Sequence, residues 1–140
     1  TKWITRMTLT TYAKKSAYWT KRGWVTDAPI QIASRIDTPK PLSKIPSGQH
    51  VIGGVAWAQH VGIERVEVRI DGGPWLPAVL GPDAGIDYWR QWYLPWDATK
   101  GRHQLAVRAI SVDGEVQTPQ RATPFPRGST GIQEIVIKVT

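Results

Sequence analysis

Cysteine is absent from the chain. That excludes disulfides and thiolate metal sites outright. No uninterrupted apolar run approaches the roughly 18–20 residues of a membrane span. No charged-then-apolar leader follows Thr1-Lys2-Trp3, so a secretory signal is not visible. With no initiator methionine, the sequence is expected to be a piece of a longer product. Acids are scarce in one half only. Residues 1–50 carry nine bases (Lys2, Arg6, Lys14, Lys15, Lys21, Arg22, Arg35, Lys40, Lys44) against Asp27 and Asp37, whereas residues 51–140 hold nine of each sign. The formal charge of +7 therefore sits in the leading segment. A domain built to track phosphates carries its basic patch on the folded body, so nucleic acid is not an expected partner. A long helical period is also missing.

What is present is period two. In Val51–Trp75 (VIGGVAWAQHVGIERVEVRIDGGPW), Val66, Val68 and Ile70 alternate with Arg65, Glu67 and Arg69. Successive side chains of a strand point to opposite faces, so this run reads as a half-buried strand. Asp71-Gly72-Gly73-Pro74 ends it, since Asp-Gly supplies positive φ cheaply and proline cannot continue a ladder. Gly53–Trp57 is a second apolar run, joined to the first by the loop Ala58–Gly62.

The same pattern recurs along the chain. Lys2–Thr10 reads as a short strand, an ordinary first strand of this domain. Tyr12–Trp24 has no clean period and accommodates one or two helical turns stopped at Gly23. Ala28–Ile36 alternates at Ile30, Ile32, Ser34 and Ile36, and Pro29 suits a strand opening. Leu76–Leu80, Tyr88–Trp96, Gln104–Val112 and Ile132–Val139 are further strands, with turns at Asp97–Gly101 and Asp113-Gly114 and an irregular connection over Pro119–Gly131. Both faces of Tyr88–Trp96 carry rings, which predicts a central or doubly covered strand. About seven short strands at regular spacing predict an all-β sandwich with an irregular N-terminal extension. The expected core is Val66, Val68, Ile70, Leu105, Val107, Ile135 and Ile137. A chain of 140 residues is long enough to bury roughly two thirds of its unfolded surface.

Chemistry-bearing constellations are sparse. His50, His60 and His103 are widely separated. His60 and Glu64 have the i, i+4 spacing of helical ligands, but a glycine before a strand lies between them, so no metal site is expected. No serine occupies a Gly-x-Ser-x-Gly turn. Gly53-Gly54 and Gly72-Gly73 lack the helix that a phosphate-cradling loop needs. No catalytic residue is assigned. Eight tryptophans leave open an aromatic platform for carbohydrate, against the commoner role of core packing. A free-standing adhesion module is a further alternative.

The small-residue run ending in Ala56-Trp57, the short loop, the alternating Arg65–Ile70 strand, Asp71-Gly72-Gly73 and Trp75 together resemble the molybdenum-cofactor oxidoreductase dimerisation domain, the C-terminal domain of sulfite oxidase-type enzymes. The likeness continues more loosely through Trp89–Trp92, Gln104–Val112 and Gln133–Val139. It implies an immunoglobulin-like β-sandwich over residues 28–140, with residues 1–27 as linker and end of a catalytic domain. It implies two partners, the upstream catalytic domain and a second copy in a homodimer. Molybdenum and molybdopterin would belong to that upstream domain, whose cysteine thiolate and pterin dithiolene hold the metal, and none to this segment. In sulfite-oxidising members the loop after Ala-Trp supplies an arginine that suits an oxyanion. Here the loop is Ala58-Gln59-His60-Val61-Gly62, without arginine, which puts sulfite in doubt. Gln59 and His60 are the residues that would face the active site. Trp19 and Arg22 match the interdomain linker. Trp3 lies in the segment that resembles the end of the catalytic domain and is likewise an expected interdomain residue. Val136 of the closing strand is the expected dimer contact.

Overall fold

A computed structural model describes residues 2–140. Nine strands form two sheets: β1 (Ala33–Thr38), β2 (Lys44–Ile45), β3 (Gly48–Trp57), β4 (Ile63–Ile70), β5 (Trp75–Pro77), β6 (Val79–Leu80), β7 (Arg90–Ala98), β8 (Gly101–Ser111) and β9 (Gln133–Val139). One sheet has the order β1-β3-β7-β6 and the other β2-β9-β8-β4-β5. All ladders are antiparallel except the short β2–β9 pair. The chain is an all-β, immunoglobulin-like sandwich. No described helix is long and apolar enough to cross a membrane.

The period-two pattern sets the core. Val66, Val68, Leu105, Val107, Ile135 and Ile137 are all at most 4% exposed, and Ile70 packs against them from the rim. Ile36, Ile52, Ala56, Trp92 and Trp96 close the layer from the four-stranded sheet. Each fully buried aliphatic side chain contributes about 2 kcal/mol relative to exposure. The Asp71-Gly72 turn has φ of 51° and 71°. Both central residues are thus left-handed, as a tight hairpin turn between right-twisted strands requires. Trp92 and Trp96 point into the core from β7, while Tyr93 points out, so one face of this aromatic strand remains open.

Several boundaries differ from the sequence reading. Lys2–Thr10 forms no strand: it is irregular and exposed, with Trp3 at φ 69°, Met7 85% exposed and Leu9 fully exposed. It has no ladder partner on the sandwich. Tyr12–Trp24 yields only a three-residue 3-10 turn, Thr20–Arg22, ended by Gly23 at φ 93°. β1 starts at Ala33, five residues late, because Ala33 pairs with Trp57, the last residue of β3, and no strand residue follows Trp57 to pair with Ile30. Leu76–Leu80 is split: β5 pairs with β4, β6 with β7, and Ala78 carries the chain from one sheet to the other. β2 went unpredicted, since two residues show no period.

Candidate functional site

The turn Ala58–Gly62 follows β3 and is tightened by the Val61 and Gly62 amides, which both donate to the Ala58 carbonyl. His60 takes a left-handed φ of 62° at its tip. Few non-glycine residues adopt this conformation, histidine more readily than most, and such positions are held by their surroundings. What holds His60 is Asp87, whose Oδ1 lies 2.6 Å from Nδ1. Both side chains are exposed, 73% for His60 and 57% for Asp87. With Nδ1 engaged, Nε2 is left without a protein partner among the described residues and can form a hydrogen bond with a ligand. Gln59 beside it is half-buried.

Asp87 belongs to the loop 81–89, which a second ion pair shapes. The Arg90 guanidinium, only 18% exposed, reaches Asp83 at 2.8 Å. The Gly85 amide foremost, and Arg90 after it, hold the Asp83 carboxyl below the usual carboxylate range. Trp89 stacks on Trp57 at 5.0 Å with planes 36° apart. The Val112 amide donates to the Gly62 carbonyl, so three loops converge at this end. Asp87 was not singled out in the sequence, because no local spacing connects it to a residue 27 positions away. Among the described residues no group of three His, Cys, Asp or Glu side chains could hold a metal ion.

Trp19 and Arg22 come together. The Arg22 guanidinium lies 3.6 Å over the Tyr18 ring, and Tyr18 meets Trp19 edge-on at 5.0 Å. Trp19 in turn meets Trp24, and Trp24 packs edge-on against Phe125 at 5.4 Å. This aromatic chain runs outward from the sandwich: Trp24 is half-buried, Trp19 61% exposed. Trp3 stands apart from it, 93% exposed. Val136 is half-buried on the outer face of the five-stranded sheet, next to Gln104, and lines a shallow hollow with Asp71 and Arg102.

His103 has a structural part. Its Nδ1 lies 2.6 Å from Asp71 Oδ2 and its Nε2 2.7 Å from the Thr99 carbonyl. Two acceptors favour the doubly protonated ring. Burial lowers the pKa of His103, but the bonds to Asp71 and Thr99 and the Asp71 charge outweigh it, leaving the pKa above the ordinary histidine value. A raised folded pKa adds stability that is complete below the unfolded value of about 6.5 and is lost as pH rises through the folded one. The melting temperature is therefore expected to fall as pH rises above about 6.5, and the fall to flatten in His103→Gln. Parallel curves for the two proteins would remove His103 as the cause.

The fold and these loops define an immunoglobulin-like sandwich carrying an aromatic-basic leader. No family model matches the chain, and no curated protein matches it. Among solved structures it is similar to the sulfane dehydrogenase SoxCD from Paracoccus pantotrophus, at 30% identity over 76% of this chain, with a TM-score of 0.65. The chain spans 30% of the length of that SoxCD chain. An engineered protein shares the fold at 17% identity over 81% of this chain and 21% of its own, TM-score 0.51.

Proposed function

We propose that this chain is the non-catalytic C-terminal bracing and pairing domain of a molybdenum-cofactor oxidoreductase. The observation that carries the reading is the likeness to SoxCD, which extends over 76% of this chain and only 30% of the other, as expected of one domain within a longer enzyme. The leader supports it. Trp3, Met7 and Leu9 expose apolar surface on a segment rich in bases, which suits a segment that packs against another body. In this reading Trp3, Trp19 and Arg22 meet the upstream catalytic domain. Gln59 and His60 face its active site, with Asp87 aiming the imidazole. The metal and its pterin belong to that upstream domain.

The test is the coding sequence ahead of residue 1, together with metal analysis of the whole gene product. A cysteine-bearing upstream domain and stoichiometric molybdenum in the whole product are expected, with no molybdenum on residues 1–140 alone. A reading frame without such a domain overturns the proposal. A second reading, a carbohydrate-binding module, is favoured by one observation: Trp57, Trp89 and Tyr93 lie at one open sheet face. Retardation of the chain by soluble polysaccharide in a native gel would support it.

A further inference from the structure

The outer face of the five-stranded sheet holds more positive charge than it pairs. Period two sends Arg65, Glu67 and Arg69 of β4 to this face, with Ala106 and Arg108 of β8 and Glu134 of β9 in the adjoining rows. Glu67 takes two guanidiniums. Arg65 Nε reaches its Oε1 at 2.9 Å, and Arg108 reaches its Oε2 through Nε at 2.7 Å and a terminal nitrogen at 2.6 Å. Glu134 also takes two, Arg69 at 3.4 Å on Oε1 and Arg121 at 3.7 Å on Oε2. Four guanidiniums therefore share two carboxylates, and arginine stays charged throughout the ordinary pH range. The cluster keeps a surplus of two positive charges. Elsewhere the pairs are one to one, as in Arg35 with Asp37 and Arg90 with Asp83.

Trp75 of β5 collects two of these arginines. It lies opposite Arg69 in the ladder, and the guanidinium carbons of Arg69 and Arg108 sit 4.7 and 4.3 Å from its ring centroid. The negative face of an indole attracts a cation at that range, which offsets the repulsion between the two like charges. Contact with the ring also restrains the side chains: Arg69 and Arg108 are 32% and 30% exposed, against 69% for Arg121. Arginines held in this way lose less freedom when a ligand arrives. Arg108 uses Nε and one terminal nitrogen on Glu67, which leaves the other terminal nitrogen without a protein partner among the described residues. Arg69 engages Glu134 through one terminal nitrogen only, at 3.4 Å. Both arginines and Trp75 line an open hollow of about 340 Å³, which Val116, Thr118 and Ile132 also line and no acid does. The Thr118 hydroxyl accepts the Gln120 amide at 3.2 Å and keeps its own hydrogen for an acceptor.

We infer that this hollow binds a doubly charged oxyanion of the sulfate or phosphate type, gripped by Arg69 and Arg108 with Thr118 as a further donor. The inference goes beyond the proposed function and does not depend on it. Charge sets the valence, because a dianion neutralises a surplus of two and chloride leaves half of it. Geometry sets the class: a guanidinium presents its N–H donors in a rigid fork that matches the oxygens of phosphate and sulfate. Nucleic acid fits less well, since a polyanion needs bases in series along its backbone. Here two uncharged residues, Gln104 and Val136, separate the cluster from Arg102 and Lys138 on the same face. The hollow is larger than the bare anion and partly apolar at Val116 and Ile132, so it also admits the anion as the end group of a small ester.

The experiment is isothermal titration calorimetry of the chain in chloride buffer of fixed ionic strength, with sodium sulfate, sodium phosphate and phenyl phosphate as probes. Saturable one-to-one binding of all three is expected. Phenyl phosphate binding tighter than phosphate assigns the site to an ester, and equal affinity assigns it to the free anion. Arg69→Gln and Arg108→Gln are each expected to weaken binding roughly tenfold. Arg102→Gln, on the same sheet but outside the hollow, is expected to change affinity by less than about twofold. Arg108→Lys keeps the charge without the fork and is expected to lose as much as Arg108→Gln. Arg69 makes its one ion pair at 3.4 Å, so Arg69→Gln keeps the test open even if Arg108→Gln does not fold. Absence of binding at roughly 10 mM probe, well above half-filling of a millimolar site, overturns the inference. So does equal affinity in the wild type, Arg69→Gln and Arg108→Gln, or full affinity in Arg108→Lys, which would reduce the hollow to a diffuse basic surface.

Discussion

Gly54→Ala is expected to lower the melting temperature by roughly 10 °C or more, or to prevent folding, whereas Gly53→Ala is expected to cost under about 1 kcal/mol. The two glycines are adjacent in β3 and differ in what lies above them. A Cβ on Gly54 would sit 1.8 Å from the Arg35 carbonyl oxygen and 2.9 Å from its carbon, with the Trp92 ring at 3.0 Å. Two of these are backbone atoms, so no rotamer change relieves the clash. β1 would have to move by more than an ångström while paired to the same residue through Ile36. Overpacking that side chains can absorb costs about 1–3 kcal/mol, and this case exceeds that range because a ladder must break. A Cβ on Gly53 meets nothing nearer than the Trp92 carbonyl at 3.3 Å. Differential scanning calorimetry on both variants is the measurement. Equal melting would mean that β1 does not lie against Gly54, and the register of that sheet edge would be wrong.

How much of this was legible beforehand depends on the range over which the cause acts. Alternation at Val66, Val68 and Ile70, and at Leu105 and Val107, is a local consequence of the pleat, and it gave the sandwich and its core. The Asp71-Gly72 turn was likewise readable, since two residues carry the whole requirement. Lys2–Thr10 misled the reading because β-branched and threonine-rich composition describes a pleated surface but cannot supply a neighbouring strand. The split of Leu76–Leu80 between two sheets turns on which partner reaches each half, which no short window contains. At the candidate site the position of Gln59 and His60 in a turn after β3 followed from the sequence. The clamp of His60 by Asp87 did not, nor did the stacking of Trp57 on Trp89, because both depend on a loop folding back over the end of the sheet.

Glutamines were the least readable of all, and one of them carries the second large effect. Gln117→Leu is expected to destabilise the domain by about 2–4 kcal/mol, although it conserves volume and removes no charge. β9 starts at Gln133, opposite Val107. The last stretch of β8 therefore runs on without that neighbour, and its backbone needs other partners. Gln117 supplies them: its backbone N–H donates to the Ala109 carbonyl at 2.9 Å, and its side-chain Oε1 accepts from the Ala109 backbone N–H at 3.0 Å. The same Oε1 accepts the Ser34 hydroxyl at 2.6 Å, tying β8 to β1, and Nε2 donates to the Gly131 carbonyl at 2.9 Å. Gln133 does likewise across the sheets, accepting the Ile36 amide at 2.6 Å. Leucine at 117 would strand the Ala109 amide and the Ser34 hydroxyl, both buried, at about 1–3 kcal/mol each. The adjoining groove between residues 28–34 and 126–133 lets water reach part of the node, which holds the total below the sum. The double-mutant cycle with Ser34→Ala separates the bonds: once serine has gone, the leucine substitution should cost about 1 kcal/mol less, since one orphaned group has been removed with it. Additive costs would show that Ser34 and Gln117 act independently, and a loss below about 1 kcal/mol in Gln117→Leu would remove the node from the account of how the two sheets are joined.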